Sequence, residues 1–97
     1  MLTLILTGLL AATSGQVVFK VNKCAICHSI AGEGNKKGPL DGVGSRRPKA
    51  EIERWITDPV TMAAREGKDR KPAMKPYSLP KDELDALVGY LAGLRRP

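Results

Sequence analysis

Both cysteines of this 97-residue chain and its single histidine fall within five residues, Cys24-Ala25-Ile26-Cys27-His28. Four kinds of site put cysteines three apart. A disulfide between Cys24 and Cys27 would close a very small loop and add little stability. A dithiol redox pair belongs in a βαβ setting, and no such pattern surrounds this one. A zinc site needs a fourth ligand, usually from a second cysteine pair, and the chain holds no other cysteine or histidine. The fourth possibility is covalent haem attachment, for which C-x-x-C-H is the signature. Two thiols on one turn form thioethers to the two vinyl groups of a porphyrin edge, and the adjacent imidazole then meets the iron. The cluster is therefore read as a haem attachment site.

The composition leaves room for such a body. Phe19, Trp55, Tyr77 and Tyr90 are the whole aromatic set, while Gly and Pro together number 17, from 10 and 7. One small domain with so thin an apolar complement ordinarily needs a staple, a metal or a cofactor. Sixteen Lys and Arg against ten Asp and Glu give a net charge of +6. The positive residues form no long run and are not interleaved with aromatics, so nucleic acid is not indicated. An acidic protein partner, an anionic membrane surface or plain solvation each fits the charge.

Residues 1–12 form an apolar leader, uncharged up to Lys20. The run Leu2–Ala12 has the length of a secretory h-region, although it lacks a positive n-region. Export is the expected meaning, with a signal peptide and a retained membrane anchor both open, and a buried core helix as a third reading. Residues 13–97 then make the folded domain. Thr13-Ser14-Gly15-Gln16 has the form of a capping box, and a helix is expected from Val17 through His28. Residues 31–48 are rich in glycine, with Pro39 and Pro48, and read as irregular. Ile52, Trp55 and Ile56 take the i, i+3, i+4 spacing of a short helix, which Pro59 ends or breaks. The stretch 60–67 adds a turn or two of helix closed by Gly67. Residues 68–80 hold three prolines and read as loop. From Lys81 the stripe Leu84, Leu87, Val88, Leu91 and Leu94 marks the clearest helix. Asp82, Glu83 and Asp85 stand near its start and Arg95 and Arg96 at its end, as the helix dipole favours. No segment alternates as a strand does. The class is all-α, with three to five short helices.

Iron bound by His28 has a sixth position to fill or leave open, and no second histidine exists. Met1 lies in the leader and Met62 in a helix, where a methionine is ordinarily core. Met74 sits in a proline-clamped loop that holds a thioether in place, and it is the favoured ligand.

The segments GQVVFKVNKCAICHSI, GPLDGVGSR, ERWITDP, MKPY and LDALVGYLAGL occur in an order that resembles the class I monohaem c-type cytochromes of the small bacterial kind. The resemblance runs from Gly15 to Leu94. It implies a cytochrome c fold wrapped around one covalent haem c, with His28 and Met74 as axial ligands. It implies first and last helices that cross closely at Gly15, with Phe19 against Tyr90. It implies that the Pro39 carbonyl accepts a hydrogen bond from His28, that Trp55 or one of Arg46 and Arg47 approaches the propionates, and that Tyr77 lies at the cofactor. For Trp55, a plain core indole is an equal alternative. Two departures stand out: Pro39 and Leu40 are contiguous where the family often has an intervening residue, and Pro80 stands where a Ser or Asp cap is usual, so that Ser78 or the chain itself must cap.

The activity so implied is single-electron transfer between respiratory or photosynthetic redox partners, without catalysis, in the periplasm or at the outer face of the cytoplasmic membrane. Arg65, Lys68, Arg70, Lys71 and Lys75 surround Met74 and suggest docking to an acidic partner surface. Membrane association through residues 1–12 is open, as is the choice between a monomer and a subunit of a larger membrane oxidoreductase. A gas-binding or sensor cytochrome with an open sixth position is the other alternative.

Overall fold

The computed structural model describes residues 14–96. The leader, Met1 and the Thr13 cap lie outside them. Among the described residues, five α-helices carry the fold: α1 Gly15–Val21, α2 Val43–Arg46, α3 Lys49–Thr57, α4 Pro59–Glu66 and α5 Lys81–Ala92. Two short strands, β1 Ser29–Ile30 and β2 Glu33–Gly34, form a miniature antiparallel hairpin.

Helix α1 begins at Ser14, whose hydroxyl accepts a hydrogen bond from the Val17 amide at 3.3 Å. It stops well short of His28. The Asn22 side chain donates to the Val18 carbonyl at 2.9 Å, and Lys23 takes the left-handed conformation at φ 59°. An uninterrupted helix through the cysteines is thus replaced by a single 3-10 turn, Cys24–Ile26. The region expected to be irregular is more ordered than its glycines suggested. Ala31 and Gly32 both have positive φ, as a two-residue hairpin turn requires, and the Ala31 amide donates to Asp41 at 2.9 Å. Further on, α2 packs on the end of α5, where the Gly44 amide donates to the Leu94 carbonyl at 2.9 Å.

Pro59 divides two helices rather than ending one. Asp58 closes α3 and, through its side chain, caps α4 at the Thr61 amide, while Pro59 fills the first helical position. Helix α5 starts after Pro80 with no side-chain cap, so neither Ser78 nor any other side chain takes that role.

The most extensive helix–helix contact joins α1 to α5. Gly15 makes it possible: a Cβ there would strike the Ala86 carbonyl and the Tyr90 side chain. Phe19 then meets Tyr90 edge to face, with centroids 6.4 Å apart and planes at 63°. Val18, Phe19, Val43, Ile52, Ile56, Leu87, Val88 and Leu91 form the buried core.

Candidate functional site

Beside that core runs a cavity of about 580 Å³. Phe19, Ile52, Ile56, Leu87 and Leu91 give it apolar walls, and Cys24, Cys27 and His28 stand along it. Such a shape belongs to a chain wrapped around a large apolar body.

The turn after α1 sets the reactive groups. Asn22 and Lys23 reverse the chain, and the Cys27 and His28 amides both donate to the Cys24 carbonyl, at 3.1 and 2.9 Å. Both cysteines are half-buried, and no disulfide joins them. Burial pushes the Cys24 thiol above its ordinary pKa, and the nearby Cys27 adds to the rise against a backbone hydrogen bond. Among the described residues, no group of three or more His, Cys, Asp or Glu side chains is placed to hold a metal.

Nδ1 of His28 donates to the carbonyl of Gly38 at 3.0 Å, which leaves Nε2 as the ring's lone-pair nitrogen. Burial holds the imidazole below its ordinary pKa; the Gly38 carbonyl opposes this and the Arg70 charge adds to it. The acceptor expected was Pro39, and the structure corrects that by one residue. Ser29 bridges to Pro39 in parallel fashion: the Ser29 amide donates to Gly38 at 3.1 Å and the Leu40 amide donates to Ser29 at 2.8 Å. In an extended segment successive carbonyls point to opposite sides, so the one reaching His28 belongs to Gly38. Pro39 itself lines the cavity.

Met74 is half-buried and lines the same cavity as His28, whereas Met62 is 3% exposed and does not line it. The Met74 loop is tied down at Tyr77, whose amide donates to Ile56 at 2.9 Å and whose hydroxyl donates to Asn22 at 3.5 Å. Tyr77 borders the cavity, and burial raises its phenol pKa, with Cys24 and Cys27 adding to the rise.

Trp55 also lines the cavity; its Nε1 is buried with no partner in hydrogen-bond geometry, and the Glu66 carboxyl, whose pKa is lowered chiefly by Arg47, is near enough to be lowered by it too. An orphaned donor on a cavity wall is what a carboxylate of a bound group would satisfy. Arg46 and Arg47 also line the cavity, but each has a protein partner. Arg46 donates to the Asp41 carbonyl at 2.7 Å. Arg47 lies 5.3 Å from the Trp55 ring centre, chelates Glu66 through both terminal nitrogens and reaches Glu51 at 3.2 Å. The guanidinium holds the Glu66 carboxyl below its ordinary range.

Sequence reasoning missed Gly38, Glu66 and Arg70 in these roles. Glu51 lies only four residues after Arg47, but Arg47 is extended backbone before the helix that carries Glu51, so helical spacing did not reveal the pair. Glu66 comes nineteen residues later and was not legible either.

The attachment turn, the apolar cavity and the orphaned indole suit a porphyrin with its carboxylates. The family model for cytochrome c matches residues 12–95. The chain belongs to the cytochrome c family. No curated protein and no solved structure matches it. This cytochrome has the helical cytochrome c fold and carries covalently attached c-type haem, and its role is electron transfer through that haem.

Proposed function

We propose that this cytochrome is an outer-sphere carrier of single electrons, with Cys24 and Cys27 as attachment points and His28 and Met74 as axial ligands. When bound, the haem iron supplies a one-electron couple. The observation that carries the reading is that Met74 and His28 line one cavity while Met62 is packed away from it. His28 presents Nε2 because Gly38 holds Nδ1, and that hydrogen bond makes the ring a more basic ligand. Met74 gives a neutral, polarisable sulfur, which favours the ferrous state and raises the potential. Trp55 lines the cavity and offers its N–H to a propionate, with the Glu66 carboxyl as the competing acceptor. Arg47 and Arg46 take part less directly, since carboxylates and a carbonyl already occupy them.

No histidine remains after His28 to act as a distal base, which argues against peroxidase-like chemistry. The apolar walls exclude water and so limit solvent reorganisation when charge changes. Partner docking is assigned to the loop around Met74. Arg65, Lys68, Arg70, Lys71 and Lys75 are exposed there. Of the two acids nearby, Glu66 is bound to Arg47, and Asp69 pairs with Lys71 at 3.4 Å. The surplus positive charge suits an acidic partner, and association slows steeply as salt rises. Export to the periplasm or the outer face of the cytoplasmic membrane is the matching location. Among the described residues, no helix is long and apolar enough to cross a membrane.

Optical and mass spectra of the native protein test the assignment. The expected result is one haem that survives denaturation and a ferrous form indifferent to carbon monoxide. A colourless denatured chain with unmodified thiols would overturn the attachment, and carbon monoxide binding by the native protein would overturn the Met74 ligand.

A further inference from the structure

Arg47 stands on the cavity wall 5.3 Å from the Trp55 ring centre, at the end assigned to the haem carboxylates. A guanidinium in that place ordinarily pairs with one of them. In this chain it is already taken. Glu66 grips it at two points, Nη2 donating to Oε1 at 2.7 Å and Nη1 to Oε2. Glu51 accepts a further bond from Nη1 at 3.2 Å. Both terminal nitrogens are thus committed to protein carboxylates.

Of the two acids, Glu66 has the firmer hold. It is the last residue of α4, and Gly67, left-handed at φ 67°, closes the helix behind it by donating its amide to the Ala63 and Ala64 carbonyls. The backbone beneath the carboxylate is therefore fixed. Its side chain is 28% exposed against 45% for Glu51, so water competes less for the pair. Lys68 is a second cation near Glu66, and the Trp55 N–H is a second donor within its influence. One acid therefore bears on both donors at this end of the cavity. We infer that Glu66 is a positioning residue for electron transfer: by chelating Arg47 and competing for the Trp55 N–H, it withholds both donors from the haem carboxylate and holds the potential down. This rests on the carrier reading, which puts a haem carboxylate at Trp55. A guanidinium bonded to that carboxylate disfavours the ferric state, which carries one more positive charge, whereas a guanidinium neutralised by Glu66 does so far less. Glu66 thus opposes the rise in potential that the Met74 thioether gives.

Spectroelectrochemical titration at neutral pH of the haem-loaded Glu66→Gln, Arg47→Gln and double variants is the test. Glu66→Gln is expected to favour ferrous iron by about threefold, which is about 28 mV upward at 59 mV per tenfold. In the Arg47→Gln background the same substitution moves the potential by roughly half as much or less, because the cation it would release is gone. A Glu66→Gln protein at the parent potential overturns the inference. So does an equal shift with and without Arg47, which would make Glu66 a plain surface charge. Glu51→Gln leaves the two-point grip intact and shifts the potential less than Glu66→Gln; a larger shift would give the role to Glu51. In the reduced protein, nuclear Overhauser contacts from the Arg47 side-chain N–H groups to the propionate methylenes are expected in Glu66→Gln only. Such contacts in the wild type would overturn the inference whatever the stability of the variants. A chain without covalent haem would sink the carrier reading, whereas a parent-like optical spectrum with an unmoved potential sinks the role of Glu66 alone.

Discussion

Gly38→Ala isolates the hydrogen bond behind the proposed iron ligand. A Cβ on Gly38 would overlap the Cys27 carbonyl and the Arg70 guanidinium. Arg70 can swing aside. The Cys27 carbonyl cannot, because it belongs to the turn that carries the cysteines. The Gly38 segment must therefore retreat, and its carbonyl retreats with it from both His28 Nδ1 at 3.0 Å and the Ser29 amide at 3.1 Å. A shift of about 0.5 Å takes both beyond useful hydrogen-bond length. Such a bond contributes about 1 kcal/mol to a neutral group and about 1.5–3 kcal/mol to a charged one. The imidazole is more positive when the iron is ferric, so the loss falls mainly on the oxidised state, by roughly 1 kcal/mol. At 59 mV per tenfold change in a one-electron couple, the midpoint potential rises by about 40 mV. Overpacking lowers stability as well, by about 1–3 kcal/mol. Spectroelectrochemical titration of the haem-loaded variant measures the potential, and denaturant unfolding measures the stability. Pro39→Ala is the control: the carbonyl that holds His28 is not its own, so its potential stays within about 10 mV of wild type. A Gly38→Ala variant with the parent potential, or a larger shift from Pro39→Ala, would refute the assignment of the acceptor.

Met74→Ala opens the iron to carbon monoxide and lowers the potential, while Met62→Ala leaves ligation unchanged and costs about 2–5 kcal/mol of stability as a buried-core truncation; carbon monoxide difference spectra and denaturant melts separate the two. Gly15→Ala sets helix propensity against packing: alanine gains up to about 1 kcal/mol, but contact with the Ala86 backbone costs about 3, so a net loss of roughly 2 kcal/mol is expected in guanidinium unfolding. A more stable Gly15→Ala protein would show that α1 and α5 are not locked at this point. Glu66→Gln bears on acid stability. Arg47 holds the Glu66 carboxyl below its ordinary value of 4.5, so the pair's contribution is complete above that pH and fades as pH falls further. The variant is expected to lose stability near neutrality and to show a flatter acid limb; acid limbs that superimpose would contradict this.

Features that depend on neighbours in sequence were legible without the fold. The cysteine–histidine spacing named its cofactor because two thioethers and an iron ligand on one rigid disc demand a single turn of chain. The stripe of α5 as far as Leu91, the break at Pro59 and the close at Gly67 likewise rest on local backbone rules and are present. However, α5 ends at Ala92, so Leu94, Arg95 and Arg96 fall beyond it and no basic residue stands in its last turn. Local signals also misled. The glycines of residues 31–48 pointed to disorderly loop, yet two of them allow the hairpin turn and the approach of α2 to α5. The helix expected to run through His28 is broken at Lys23, because Asn22 turns back onto Val18.

Everything set by distance through space waited for the tertiary structure. Which carbonyl holds His28 depends on a parallel bridge between Ser29 and Pro39, ten residues apart. That Arg47 is held by Glu66 depends on how α4 lies against α3. That Met62 turns into the core while Met74 lines the cavity depends on where the last loop is tied, through Tyr77, to Ile56. A chain of 97 residues can state in five of them what it binds, since covalent chemistry is short-ranged. How it tunes what it binds is set by groups far apart in sequence, and only packing brings those within a hydrogen bond of one another.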